Sequence, residues 1–321
     1  MPRYIVLRNV PFTKDQVEAL VKVINDGGFE ALVSVGDEME DSFPWEDCEA
    51  FLGVVRKEYI KKLSTAKWLQ LAWAGAESLV GADYPNNDTI LTNASGAYGK
   101  AIAEYMLCGA LMLRHNLHTY ARVQGGKEWN RIGVTRGMYG SRVVVVGLGD
   151  IGGTFAKYAK AMGAYVVGVR RSKGIAPEYV DELSPYEDLE GALKNADVVA
   201  VCLPATKETV KLFGERHVNA MKPEAVFVNA GRGVTVDESA LTAALMHRRI
   251  AGAVLDVTEV EPLPKDSPLW DMDNVVITPH VSGRMDDPPN SKLIYEIFMD
   301  NLTRFCEGRP LKHVVDRDRG Y

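Results

Sequence analysis

Along the chain, short runs of β-branched and other apolar residues alternate with stretches in which apolar positions recur every three or four residues. Strands apolar on both faces, separated by amphipathic helices, are the pattern of βαβ units, where helices cover both sides of a parallel sheet. Two such series are present. The first predicts strands at Tyr4–Val10, Glu30–Val35, Phe51–Val55, Trp68–Ala72 and Thr89–Thr92, with a helix over Lys14–Asp26 that Gly27-Gly28 closes. The second predicts six strands, at Arg142–Val146, Tyr165–Val169, Val198–Leu203, Ala225–Asn229, Gly252–Val257 and Val275–Thr278.

Between the series, Ala97–Leu117 is apolar on nearly every face, with Ile102, Met106, Leu107, Ala110 and Leu113 among its members. Such a helix should be buried, and a position between two domains would bury it. Near the end, Asp286-Asp287-Pro288-Pro289 supplies a helix start and Gly308 a stop for the periodic run Leu293–Cys306. That helix is expected to return the chain to the first domain, with the tail Arg309–Val315 packing there too. The expected division is therefore 1–97 plus 288–321 for one domain and 98–287 for the other.

Length agrees with two cores, since 321 residues exceed what one hydrophobic interior usually organises. No apolar run approaches the eighteen or so residues of a membrane span, and Met1–Val10 lacks the layout of a signal peptide. A cytoplasmic protein with no membrane partner is expected. The net charge of −6 and the lack of a Lys/Arg-rich run argue against nucleic acid as a partner. Cys48, Cys108, Cys202 and Cys306 are scattered, with no ligand spacing, so neither a disulfide framework nor a metal site is expected.

The candidate chemistry begins at Val146-Gly147-Leu148-Gly149-Asp150-Ile151-Gly152, where a buried strand runs through GxGxxG into a helical pattern. Glycines there permit a tight turn and close backbone approach, and a pyrophosphate can rest on the amides of the helix start. A dinucleotide is the expected ligand, at Gly147, Gly149, Asp150, Ile151 and Gly152. In NAD-binding versions an acidic residue about twenty positions on takes the ribose 2′-hydroxyl. Here Arg170, Arg171 and Ser172 stand instead. Two guanidiniums and a hydroxyl suit a 2′-phosphate, so NADP(H) is expected over NAD(H); two solvated arginines, one lying over the adenine of either cofactor, is the other reading.

Three polar residues follow predicted strands of the second series, at the end where open parallel sheets place their chemistry: Arg232, Glu261 and His280. Reducing a keto acid requires a cation to hold the carboxylate and polarise the carbonyl, and an acid to protonate the forming alkoxide. Arg232 suits the first task because its planar fork matches a carboxylate and stays charged. His280 suits the second, and a carboxylate such as Glu261 beside it favours the protonated ring.

The stretches Asn229–Leu241, Asp256–Pro264 and Thr278-Pro279-His280 resemble the D-2-hydroxyacid dehydrogenase family, in its glyoxylate and hydroxypyruvate reductase branch, and the resemblance covers nearly the whole chain. It implies two Rossmann-like doubly wound parallel-sheet α/β domains, the substrate domain discontinuous and flavodoxin-like. It implies that Arg232 binds and polarises the substrate, that Glu261 and His280 transfer the proton, and that Asp256 lies near the nicotinamide. Leu203, Pro204 and Ala230, at strand ends, are further cofactor positions. The loop Trp73-Ala74-Gly75-Ala76-Glu77 resembles the one whose amides hold the substrate carboxylate, and Thr92-Asn93 resembles the entry to the cofactor domain. A D-2-hydroxy acid product and a homodimer, with Arg122–Arg136 as a reaching arm, are also implied.

Departures from the family pattern are Arg170, where Asp is frequent, and the charged, proline-rich loop after His280. In that loop Arg284 is either a second substrate-carboxylate contact or a surface residue. Competing readings are a short phosphoglycerate dehydrogenase, which needs an extra basic pocket, a formate dehydrogenase, which carries Gln where Glu261 stands, and a dinucleotide-sensing corepressor-like binding protein.

Overall fold

The computed structural model describes residues 3–36, 43–171 and 174–320. The chain forms two compact units, one made of Met1–Tyr98 with Arg284–Tyr321 and the other of Gly99–Gly283.

The first unit is a five-stranded parallel sheet of β1 (Tyr4–Arg8), β2 (Glu30–Ser34), β3 (Cys48–Gly53), β4 (Trp68–Leu71) and β5 (Ile90–Thr92), in the order β2-β1-β3-β4-β5. This order reverses at β1/β3, as in flavodoxin-like sheets. Helix α1 (Lys14–Asp26) has the bounds that periodicity predicts, because Thr13 and Gln16 form a reciprocal cap at its start and Gly28, at φ +80°, turns the chain out of it. Short helices α2 (Lys57–Ile60) and α3 (Glu77–Val80) follow β3 and β4. The third strand starts earlier than Phe51 because Cys48, Glu49 and Ala50 are buried and already run in the sheet.

The second unit opens with α4 (Gly99–Arg114) and α5 (Leu117–Val123), then carries a seven-stranded parallel sheet. Its strands are β6 (Arg142–Val146), β7 (Tyr165–Val169), β8 (Glu182–Ser184), β9 (Val198–Val201), β10 (Val226–Asn229), β11 (Gly252–Leu255) and β12 (Val275–Ile277). Helices α6 (Asp150–Ala161), α7 (Leu189–Leu193), α8 (Glu215–Ala220) and α9 (Glu238–Met246) connect them. The order β12-β11-β10-β9-β6-β7-β8 makes β6/β9 the point where the winding reverses, and Doubly wound sheets bind ligands at the carboxyl ends of strands around such a point. Val144, Val146, Val167, Val169, Val199 and Phe227 are among the fully buried residues of its core.

Two expectations are corrected. β8 was not among the six predicted strands; it is a three-residue edge strand whose Glu182 is partly exposed, too short to leave a periodic signal. Helix α4 is not buried all round. Ile102, Met106, Ala110 and Leu113 face inward, and the helix packs on α6, β10 and β11 of its own unit, but Lys100, Glu104 and Cys108 are exposed. It stops at Arg114 because Asn116 adopts a left-handed backbone, φ +57°, before α5 begins.

The last helix, α10 (Pro288–Cys306), belongs to the first unit. Asp287 precedes it, prolines occupy its first positions and Gly308, at φ +68°, follows it. Ile294, Phe298 and Leu302 form its buried stripe, and Phe12 meets Phe298 edge-on at 5.2 Å. The tail pairs with β5: Asn93 donates its amide to His313 O at 3.1 Å and Val315 to Leu91 O at 2.8 Å. Among the described residues, no helix is long and apolar enough to cross a membrane.

Candidate active site

The glycine turn joins β6 to α6 at the reversal point of the second sheet. Gly147 donates its amide to Val169 O at 2.8 Å, tying the turn to β7. At Gly152 a Cβ would stand 1.9 Å from Gly147 O, so any side chain would push the turn open. With Gly149 as the residue before α6, the amides of Asp150 and Ile151 are among those a helix leaves without internal partners. That bare cradle fits a pyrophosphate. The carboxylate of Asp150 faces elsewhere, accepting the Gly99 amide at 2.9 Å and fixing the start of α4.

Beyond β7, Arg170 donates its amide to Ser184 O at 3.2 Å and one guanidinium nitrogen to Ile175 O at 3.3 Å. Its Nε is shielded from solvent and has no hydrogen-bond partner among the described residues. Arg171 is exposed and paired closely with Glu208. Ser172 lies outside the described residues. Leu203 and Ala230 are buried at the ends of β9 and β10, and Pro204 O accepts from Thr209 Oγ1 at 2.6 Å.

Arg232, Glu261 and His280 come after β10, β11 and β12, three neighbouring strands, so sheet order alone gathers them at one edge. The turn that carries Arg232 is tight. Gly233 lies so close to Thr258 O, 1.8 Å from where a Cβ would be, that only glycine fits. The carbonyl of Arg232 accepts from Thr235 Oγ1 at 2.6 Å, and its guanidinium donates to Gly231 O at 2.8 Å.

His280 Nδ1 lies 2.8 Å from Glu261 Oε2, while Glu261 Oε1 accepts the Thr258 amide at 3.3 Å. The two side chains are 51% and 40% exposed, so their pairing adds little to stability; its effect is to orient the ring through Nδ1. A mostly apolar cavity of about 370 Å³ lies beside them, bordered by Pro262, Leu263, Trp270 and Ile277, and is of the size small molecules occupy.

Sequence reasoning missed the hydrogen-bonded framework behind this pair. Asp256 is 2% exposed, and its carboxylate accepts from Thr278 Oγ1 at 2.6 Å, from the Val281 and Ser282 amides at 2.9 and 3.0 Å, and from Ser282 Oγ at 2.5 Å. Tyr105, on α4, lies 2.5 Å from Thr278 Oγ1. Nothing in the sequence joins positions 105 and 278; only the packing of α4 on the sheet does.

In the first unit, the loop after β4 is held from behind. Ala72 O accepts from Tyr98 Oη at 2.5 Å, Ala74 O from Asn93 Nδ2 at 2.6 Å and Trp73 O from the Ala94 amide at 3.0 Å. The amides of Ala74, Gly75 and Ala76 donate to no group among the described residues. Arg284 forms a two-pronged pair with Asp286, at 2.8 and 2.5 Å, and its guanidinium is 60% exposed. A substrate carboxylate would have to displace Asp286 from it.

A glycine cradle at the winding reversal of one sheet, with cation, carboxylate and imidazole on neighbouring strand ends, defines a dinucleotide-dependent oxidoreductase of the doubly wound α/β class. Residues 107–282 match the family described as D-isomer specific 2-hydroxyacid dehydrogenase, NAD binding domain. The chain belongs to this family and is an NAD(P)-dependent 2-hydroxyacid dehydrogenase. A glyoxylate reductase of Thermococcus litoralis is 31% identical over 276 residues, 82% of this chain and 81% of the relative. A D-isomer specific 2-hydroxyacid dehydrogenase of Xanthobacter autotrophicus Py2, solved with NADPH and MES, superposes with a TM-score of 0.85 at 30% identity, over 100% of this chain and 99% of the other. An NADPH-dependent glyoxylate/hydroxypyruvate reductase of Sinorhizobium meliloti, solved with NADP and sulfate, has a TM-score of 0.84 at 25% identity, with both chains covered in full.

Proposed function

We propose that this enzyme is an NADP-linked reductase that converts glyoxylate, hydroxypyruvate or a similar small 2-keto acid to the D-2-hydroxy acid. The 2.8 Å pairing of His280 Nδ1 with Glu261, next to the strand end that bears Arg232, carries the reading. When bound, the dinucleotide supplies the hydride. Arg232 holds the substrate carboxylate and polarises the 2-carbonyl, since its fork is matched to a planar oxoacid and never loses its charge. Glu261 accepts from Nδ1–H and fixes the ring, and His280 gives the Nε2 proton to the carbonyl oxygen as it becomes an alkoxide. The amides of Ala74, Gly75 and Ala76, which donate to no group among the described residues, are read as carboxylate donors of the first unit.

The preference for NADP rests on Arg170. Its solvent-shielded Nε has no acceptor among the described residues, a 2′-phosphate would supply one, and two similar solved proteins carry NADPH or NADP. Arg171 joins that site on leaving Glu208. The unit of Met1–Tyr98 with Arg284–Tyr321 is read as the substrate domain and that of Gly99–Gly283 as the cofactor domain. A homodimer is part of the same reading: on the arm Arg122–Arg136, Trp129 is 100% exposed and Val134 66%, apolar surface that a second copy would cover. The four free thiols fit a cytoplasmic setting.

The test is kcat/KM with NADPH and with NADH over glyoxylate, hydroxypyruvate, pyruvate, oxaloacetate and branched or aromatic 2-keto acids. The expected result is turnover of the small acids with NADPH preferred. Preference for NADH overturns the cofactor assignment. Tight NADPH binding without turnover of any of these acids overturns the catalytic one.

A further inference from the structure

The backbone of His280 is strained. At φ +53° it occupies the left-handed region, which non-glycine residues adopt uncommonly. A strained conformation persists only where the surroundings over-determine it, and here those surroundings converge on Asp256. The Asp256 carbonyl accepts the His280 amide at 2.8 Å. Its carboxylate oxygens take the next two amides of the turn, the Ser282 hydroxyl and Thr278 Oγ1. Four bonds fill the acceptor capacity of a carboxylate, so Asp256 is spent inside the chain, on the turn that presents the imidazole.

One proton fixes the direction of the remaining chain of bonds. A carboxylate only accepts, so Thr278 uses its hydroxyl proton on Asp256, and the 2.5 Å contact with Tyr105 must be a donation from the phenol to Thr278. Hydrogen bonds in such a chain polarise and strengthen one another. Tyr105 is suited to the donor's end, because burial pushes its phenol up to about 12 and the proton stays on.

We propose that Tyr105 and Thr278 are positioning residues for the reduction, acting through Asp256 to hold the His280 turn, so that a helix on the sheet's face sets the aim of the proton donor. This rests on the reading of His280 as that donor. No contact of either hydroxyl with substrate or cofactor is involved. The effect belongs to the chemical step, and it vanishes when the imidazole is gone.

The experiment is single-turnover hydride transfer, with NADPH and the best 2-keto acid, for Thr278→Val, Thr278→Ser and Tyr105→Phe, each also made in a His280→Ala background. Small misplacements of a reacting group cost up to about 100-fold, so Thr278→Val is expected to slow the step about 10-fold and Tyr105→Phe about 3-fold. The Kd for NADPH should stay the same, and Thr278→Ser should restore most of the rate. In the His280→Ala background the same changes should have no further effect. Equal losses with and without the imidazole, an unchanged rate in Tyr105→Phe and Thr278→Val, or failure of Thr278→Ser to rescue overturns the inference. Should Thr278→Val not fold, Tyr105→Phe decides, since it keeps the ring's packing. A near-normal rate in His280→Ala itself overturns the donor reading instead.

Discussion

The two units carry parallel sheets of related design, yet they present different chemistry at their strand ends. After β10, β11 and β12 of the second unit stand charged side chains, each anchored by a tight turn or a hydrogen-bonded partner. After β4 of the first unit stands a loop without charge until Glu77, whose offering is backbone amides. The difference teaches how work is divided. Side chains that must move a proton or hold charge need rotamers locked by neighbours, whereas a grip on a carboxylate can come from main-chain donors, which carry no side-chain entropy to lose. Each kind of site fails differently, and this is what mutation can read.

The largest effect is expected at His280, the proposed proton donor. His280→Ala should lower kcat roughly 10²–10⁴-fold with little change in NADPH affinity, as steady-state kinetics and a cofactor titration will report. Arg232→Ala should remove about 3 kcal/mol of transition-state stabilisation, seen as a loss of roughly 10²-fold in kcat/KM, because the proposed carbonyl-polarising group is lost. By contrast Ala74→Gly, which leaves the amide in place, should change kcat/KM less than about 3-fold; a loss on the scale of Arg232→Ala would mean that the loop works through its side chains and would erase the contrast.

A smaller change is expected at the cofactor end. Arg170→Ala should reduce the preference for NADPH over NADH by roughly 10-fold, the worth of a charge-assisted hydrogen bond or two, measured as the ratio of kcat/KM values. The smallest effect is on stability and concerns the amino end of the central strand β9, opposite the strand ends that carry the site. Burial opposes ionisation of Asp197, but Lys222 at 2.7 Å and the Arg142 amide at 2.8 Å outweigh it and hold the carboxyl below its usual range. A depressed carboxylate contributes stability that is fully present above the unfolded value of 3.8 and is lost as the pH falls through the lower folded value. Asp197→Asn should therefore cost about 1 kcal/mol at neutral pH and flatten the acid limb of the melting curve, with kcat unaltered.

The same comparison explains what could be read in the sequence. The glycine turn, Arg232, Glu261 and His280 were legible because a parallel sheet puts its chemistry at strand ends, and strand ends are marked by where an apolar run stops. α10 was legible in its cap, since Asp287, the two prolines and Gly308 are local signals. β8 was not, because three edge residues carry no period. Nor was the link from Tyr105 through Thr278 to Asp256, which exists only once α4 has docked on the sheet. The partner of Arg284 could not be weighed against a substrate until Asp286 was seen to hold it. Local backbone rules write capping and turns into the chain; side-chain pairing across 173 positions is written only into the fold.

The most direct measurement follows a label. With NADPH deuterated at the transferable position of the nicotinamide and glyoxylate or hydroxypyruvate as acceptor, the wild-type enzyme should deliver deuterium to C2 of the product. From hydroxypyruvate that product should be the D-2-hydroxy acid. Bound NADPH with no deuterium in the acid, or label in the L-acid, would contradict the account.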